Sequence, residues 1–253
     1  MSGQARYGLL YTEYGTSPHW RLSFPKLAVY ILCCPLFSFL FCIAYSVLFN
    51  FESATFTHCQ VYNFLPSISA AIGNFSPQRE VWQIAITLQA GPRLCVAYLY
   101  LKQHSNLLYN GDLWLSYIAF ILNIIENLSL IVLSYFTSSK HYDVHANAFV
   151  CFILGSEFYM IMTCIIQSRS KKLHRVSLKW KKRCLCINII CIVLATYLFM
   201  RHNSLCEPYI YSFFALSEYV VVLSNMAFHI TAYLDFENKD VVVYKYGVDL
   251  TER

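Results

Sequence analysis

Residues 27–49 read LAVYILCCPLFSFLFCIAYSVLF, twenty-three positions without a charged side chain. A helix needs about 20 mostly apolar residues to cross the hydrocarbon core of a bilayer, so this stretch is long enough to span. It is also longer than the apolar core of a cleaved leader and follows a polar head of 26 residues, which predicts a retained anchor. The rest of the chain agrees with that reading. Of its 253 residues 57% are hydrophobic and only 13% are charged, about half the charged share of an ordinary soluble domain. Such a composition excludes a disordered chain, a basic nucleic-acid binder and a small disulfide-stapled domain. The 20 tyrosines and 19 phenylalanines suit lipid-facing walls and interfacial belts.

Five further windows meet the length criterion: 81–101 with Arg93 inside, 113–136 with Glu126, 146–168 with Glu157, 184–200, and 209–234 with Glu218 and His229. The expected fold is all-α, a polytopic bundle of six transmembrane helices in a single membrane domain over 27–234. It carries an N-tail of 1–26, a C-tail of 235–253, a long first loop at 50–80 and a basic fourth loop at 169–183. Fifteen of the 19 Lys and Arg fall on the side of the two tails and the second and fourth loops, Arg6, Lys172, Lys245 and Arg253 among them. Arg79, Lys140 and Arg201 fall opposite. Cytoplasmic loops carry the excess of cations, so both termini are expected in the cytoplasm and the first, third and fifth loops in the lumen or outside.

Most of the 11 cysteines sit in spans and read as small apolar residues. Cys59 and Cys206 are the two on the oxidising side, which predicts a bridge between them; two free thiols are the alternative. Asn74-Phe75-Ser76 matches a glycosylation acceptor, but Pro77 and the nearby membrane argue against modification.

The intramembrane polar residues are the informative ones. A charge at mid-bilayer costs roughly 2.5–3.5 kcal/mol even on the lenient insertion scale, and this chain places Glu126, Glu157, Glu218 and Arg93 inside spans. On the sixth span Glu218, Asn225 and His229 fall at i, i+7 and i+11, within about 40° of one helical face. On the third, Asn123, Glu126 and Asn127 make a second polar face. The two stripes could line a cavity between them. The plainer alternative is mutual pairing and interhelical glue, at about 0.6 kcal/mol per hydrogen bond. Gly91-Pro92 predicts a bend that brings Arg93 toward a partner. If the bridge forms, His58, Arg201, His202, Asn203 and Glu207 gather at the membrane surface, a set suited to a phospholipid headgroup; ordinary loop capping is the alternative. There is no Gly-x-Ser-x-Gly elbow, phosphate-binding glycine loop, His-Glu-x-x-His pattern or His-x-x-x-x-Asp pattern. Neither a cofactor nor a metal is expected.

Read in order, the motifs carry a resemblance. They are Cys33-Cys34-Pro35-Leu36, Thr57-His58-Cys59, Leu65-Pro66-Ser67-Ile68-Ser69, Pro77-Gln78-Arg79, Asn123-Ile124-Ile125-Glu126-Asn127, His145-Ala146-Asn147-Ala148-Phe149, Arg201-His202-Asn203, Cys206-Glu207, and Ser224-Asn225-Met226-Ala227-Phe228-His229. The series closely resembles the post-GPI attachment to proteins factor 2 family over about residues 20–240, and more distantly the DRAM-type six-span superfamily. The resemblance implies a Golgi membrane protein, with the endoplasmic reticulum as the other compartment. It implies action in lipid remodelling of GPI anchors, at the step where lyso-GPI regains a saturated sn-2 chain, as the acyltransferase or as an accessory factor. The implied partners are GPI-anchored proteins, lyso-GPI and an acyl-CoA or phospholipid donor; a lipid transporter or membrane regulator is the competing class. Acyl transfer needs a base and an oxyanion site. The candidates for catalysis are His202, His58 and His229 with Asn225 and Glu218. The candidates for substrate binding are Arg201, Asn203, Glu126, Asn123, Asn127, Arg93 and Glu157. His229 lies toward the cytoplasmic side while the GPI lipid sits in the lumenal leaflet, a conflict that a groove open to lipid would resolve. Epitope tags at either terminus are expected to stain in cells whose plasma membrane alone is permeabilised. A tag within 50–80 is expected to stain only after every membrane is opened.

Overall fold

The computed structural model describes residues 20–171, 174–244 and 247–252; Arg6, Lys172, Lys245 and Arg253 of the charge count lie outside them. A strand β1 (Trp20–Ser23) leads into α1 (Phe24–Phe49). Short helices α2 (Phe51–Thr55) and α3 (Ile68–Gly73) lie in the first connection. Then follow α4 (Gln78–Leu107), a 3-10 turn at Asn110–Asp112, α5 (Leu113–Tyr135), α6 (Tyr142–Arg169), α7 (Arg175–Leu205) and α8 (Ile210–Ile230). A last turn of helix, α9 (Ala232–Asp235), precedes strands β2 (Lys239–Tyr244) and β3 (Gly247–Glu252). Among the described residues six helices are long and apolar enough to cross a membrane, as the sequence predicts. In hydrocarbon every backbone polar group must be satisfied within the protein, and continuous helices do this. Pro25 starts α1, where a missing N–H costs nothing. Pro35 sits inside α1, and Ser38 donates its hydroxyl to the Pro35 carbonyl at 3.0 Å.

Two segments depart from expectation. The basic run within 169–183 is helical from Arg175 onward. Its buried positions Ser177, Leu178, Lys181, Cys184 and Asn188 repeat at helical spacing, so one face of the cationic segment packs inward while the other stays solvated. The tails are also ordered where described: β1, β2 and β3 form an antiparallel sheet in that order, Trp20 opposite Val243 and Val241 opposite Leu250. Valines 241–243 read as a strand once a partner exists, but neither tail alone carries a periodic signal. Pairing of the two tails puts them on one side of the bundle, which an even number of crossings requires.

The helices ring a central space: α1 packs on α4, α4 on α5, α5 on α6 and α7 on α8, while α6 and α7 touch sparsely. At the sheet end Phe24 stacks on Phe236 at 4.0 Å, with Leu99, Tyr100 and Val241 in the same apolar cluster. Beside them Lys181 is 1% exposed and donates to Asp235 Oδ2 at 2.6 Å, to Ser177 Oγ at 2.9 Å and to Thr231. Tyr100 and Gln167 donate to the same carboxylate. One ion pair thus joins α4, α6, α7 and α9.

The opposite end is closed by the first connection. Cys59 and Cys206 form the expected disulfide, with Cα atoms 5.2 Å apart. Ser212 accepts the N–H groups of Phe64 and Leu65, Tyr219 donates to the Pro66 carbonyl at 2.6 Å, and Glu218 accepts the Ile68 N–H at 3.2 Å. Arg201 grips Glu207 through two nitrogens at 2.7 and 3.0 Å and holds its carboxyl below the usual carboxylate range. The disulfide spans 147 residues, for which chain entropy sets a ceiling of about 5 kcal/mol; a membrane-held unfolded state is already restricted and brings the effect below that. Cys59→Ser and Cys206→Ser are each expected to lower the unfolding temperature of the detergent-solubilised protein by the same amount as the double variant.

Candidate functional site

The ring of helices encloses a cavity of about 810 Å³. Its walls are mostly apolar, from Ile31 and Leu32 on α1 through Ile86, Leu130 and Ile153 to Val222 and Met226 on α8. On the α1 side the lining residues Ala28 and Pro35 are buried. Between α6 and α7 the wall is breached. Val150 and Leu154 line the cavity while 53% and 51% exposed, and Phe199 across from them is 39% exposed. The sideways opening that would let lipid enter is therefore present in the fold.

Halfway down lies the polar cluster of the third and sixth spans. Glu126 has no exposed surface. Its Oε1 accepts from Arg93 at 2.9 Å, from Asn225 at 3.3 Å and from His229 Nε2 at 2.8 Å. The His229 ring stacks on Tyr159 with centroids 5.5 Å apart. Asn225 also donates to Ser156 at 2.6 Å. A local feature of α6 makes this convergence geometrically feasible. A Cβ on Gly155 would stand 3.2 Å from Ile125 and 3.3 Å from the Glu126 backbone nitrogen. The missing side chain lets α6 approach α5 at the level of the carboxylate. Arg93, Asn123, Asn225 and His229 line the cavity. Asn127 folds back on Asn123, donating to its carbonyl and its side-chain oxygen at 2.8 and 2.7 Å.

The remaining candidates sort differently. Glu218 does not join Asn225 and His229. It lines the cavity nearer the disulfide and caps the Ile68 N–H. A helix rises about 1.5 Å per residue, so eleven residues put it roughly 16 Å from His229. Glu157 is half-buried on α6, outside the lining. His58 and His202 meet beside the disulfide with ring centroids 5.6 Å apart. His202 is fully buried there with both ring nitrogens unpartnered, and neither histidine lines the cavity. Arg201 is paired with Glu207, and Asn203 is exposed. This surface group therefore forms the staple over the disulfide and stands apart from the cavity.

Sequence reasoning missed a pair at the disulfide end of the cavity. Ser69, on α3, lies 2.9 Å through Oγ from His145 Nε2, on α6. His145 Nδ1 lies 2.7 Å from the Phe136 carbonyl. Both residues line the cavity, as do Asn74, Ser138 and Ser139. Each stands in a quoted motif, but they are 76 positions apart and no spacing rule joins them.

A family model, Frag1/DRAM/Sfk1/Cwh43P N-terminal domain, matches residues 23–239. Among curated relatives, Post-GPI attachment to proteins factor 2 of Drosophila melanogaster is 44% identical over 92% of this chain and 94% of its own length. Acyltransferase PGAP2 of Xenopus tropicalis is 40% identical over 93% and 96%. A Post-GPI attachment to proteins factor 2-like protein of Drosophila melanogaster is 32% identical over 89% and 73%. No solved structure matches. Removing one partner of a buried ion pair costs about 3–5 kcal/mol. Arg93→Met and Glu126→Leu are therefore each expected to destabilise the solubilised protein by that order, and the double variant by clearly less than their sum, in a thermal-unfolding cycle.

Proposed function

We propose that this chain, which belongs to the post-GPI attachment to proteins factor 2 family within the wider Frag1/DRAM/Sfk1/Cwh43P family, reacylates lyso-GPI at sn-2 with a saturated chain in the Golgi membrane. The observation that carries the reading is the cavity. It is large enough for an acyl chain, apolar along its walls, and open to the side between α6 and α7. A lyso-GPI lipid can keep its glycerol at the membrane surface while a chain lies between the helices. The acyl donor, an acyl-CoA or a phospholipid, meets it at the same mouth, and GPI-anchored proteins are the cargo whose lipid is remodelled.

Depth assigns roles to the candidates. The hydroxyl to be acylated belongs at the interface, whereas His229 sits roughly 16 Å below the Glu218 level. The Glu126 oxygen that holds His229 already accepts from Arg93 and Asn225. In this reading Arg93, Glu126, Asn225 and His229 hold the chain-binding wall in shape, with Asn123 and Asn127 bracing it from α5. The wild-type chain is expected to restore saturated sn-2 chains to GPI anchors in cells that lack their own factor, measured by mass spectrometry of the released lipid. Ala195→Phe, which fills the cavity from α7, is expected to lower that restoration at equal protein level in the same compartment. Anchors left unremodelled by correctly placed wild-type protein would overturn the assignment.

A further inference from the structure

The Ser69–His145 pair has the parts of a nucleophile and its base. A carbonyl oxygen can only accept a hydrogen bond, so the contact to Phe136 places the proton of a neutral His145 on Nδ1. That leaves the Nε2 lone pair facing Ser69 Oγ at 2.9 Å, and the hydroxyl donates to it. Serine, imidazole and an orienting acceptor thus stand in the order that activates a hydroxyl for acyl transfer. Here the orienting group is a backbone carbonyl in place of a carboxylate. It fixes the tautomer and ring but adds no charge.

Position matters as much as order. Ser69 and His145 face the cavity at the disulfide end, where the carbonyl of a lipid ester would lie if its chain descended between the helices. The end of α3 abuts the loop that carries Phe136, since a Cβ on Gly73 would touch Thr137 at 3.4 Å. Asn74, Ser138 and Ser139 line the same cavity and carry N–H and O–H donors that a developing oxyanion would need. A hydroxyl–imidazole contact could serve only to staple α3 to α6. A staple, however, has no need to open onto the chain-binding space or to leave the basic nitrogen toward the hydroxyl.

Resting on the reading above, we propose that Ser69 is the acyl-carrying nucleophile and His145 its general base. Ser69 Oγ attacks the acyl carbonyl of an ester or thioester donor while its proton passes to His145 Nε2. The donor's C–O or C–S bond breaks, and the leaving alkoxide or thiolate takes that proton, leaving an ester on Ser69. The sn-2 hydroxyl of lyso-GPI then gives its proton to His145 and attacks the Ser69 ester. Ser69 Oγ leaves, regains the proton, and the new sn-2 ester is released. No redox partner or metal enters the balance.

The test uses purified full-length protein in phospholipid nanodiscs, with either an isotope-labelled phospholipid or a labelled acyl-CoA as probe. Peptide mass spectrometry should find the labelled acyl group on Ser69. Ser69→Ala should carry none, and Ser69→Cys should carry it as a thioester that neutral hydroxylamine removes. His145→Ala should slow labelling by roughly 10²–10⁴-fold, the usual worth of a positioned base. The probe that labels identifies the donor as ester or thioester. A Ser69→Ala variant that restores saturated GPI anchors in deficient cells as well as wild type does would overturn the proposal and leave the pathway assignment standing. Labelled Ser69 in a wild-type chain that leaves anchors unremodelled would keep the nucleophile and overturn the substrate.

Discussion

A carboxylate with no solvent exposure inside a bilayer must find its counter-charge within the protein, and Glu126 finds it in Arg93. Leaving either group alone would cost more than most single contacts in the fold return. The pair therefore dictates where α4 and α5 stand relative to each other. His229 and Asn225 bring α8 to the same oxygen, and Ser156, beside Gly155, brings α6. Helices in lipid gain little from apolar contact, because the lipid tails are as apolar as they are. One polar junction shared by four helices can therefore define a ring whose centre is left open.

Each end of that ring is held by different chemistry. At the sheet end the Lys181–Asp235 pair is fully enclosed, with Tyr100, Gln167, Ser177 and Thr231 completing its hydrogen bonds. At the other end a disulfide ties the first connection to the end of α7, and a set of side-chain to backbone bonds holds it onto α8. Between these two ends α6 and α7 are only sparsely in contact. That seam is also where the cavity reaches the bundle's surface.

How much of this the sequence carried depends on the range of the interaction. The six spans were legible because length and apolarity are local, and the disulfide because elimination left two cysteines. The stripes of Asn123–Glu126–Asn127 and Glu218–Asn225–His229 were legible as faces, since helical spacing is local too. Their division of labour was not: Glu218 serves the α3 backbone while its two stripe neighbours serve Glu126. The sheet was hidden because β1 and β2 lie about 220 positions apart in the chain, Ser23 pairing with Asp240. Lys181 looked like one more topology-setting cation among eight, and only the tertiary fold turns it toward Asp235. His58 and His202 stand in a motif that suggests a headgroup site, yet His202 is sealed behind the disulfide.

The sequence alone poses a conflict of depth for one of its candidate bases, with His229 low in the membrane and the lipid's glycerol at its surface. The proposed reading removes the conflict by separating two jobs along the depth of the fold. Charge pairing, which tolerates depth because its partners are internal, sits midway and shapes the wall. On the proposed reading, chemistry on an ester carbonyl, which needs the interface where that carbonyl lies, falls to Ser69 and His145 at the disulfide end of the cavity. Glu218, which accepts the N–H of Ile68 beside Ser69, lies roughly 16 Å along α8 from His229, and on the proposed reading that interval is the space for an acyl chain. A wall rigid enough to keep that space open is what the buried ion pair supplies.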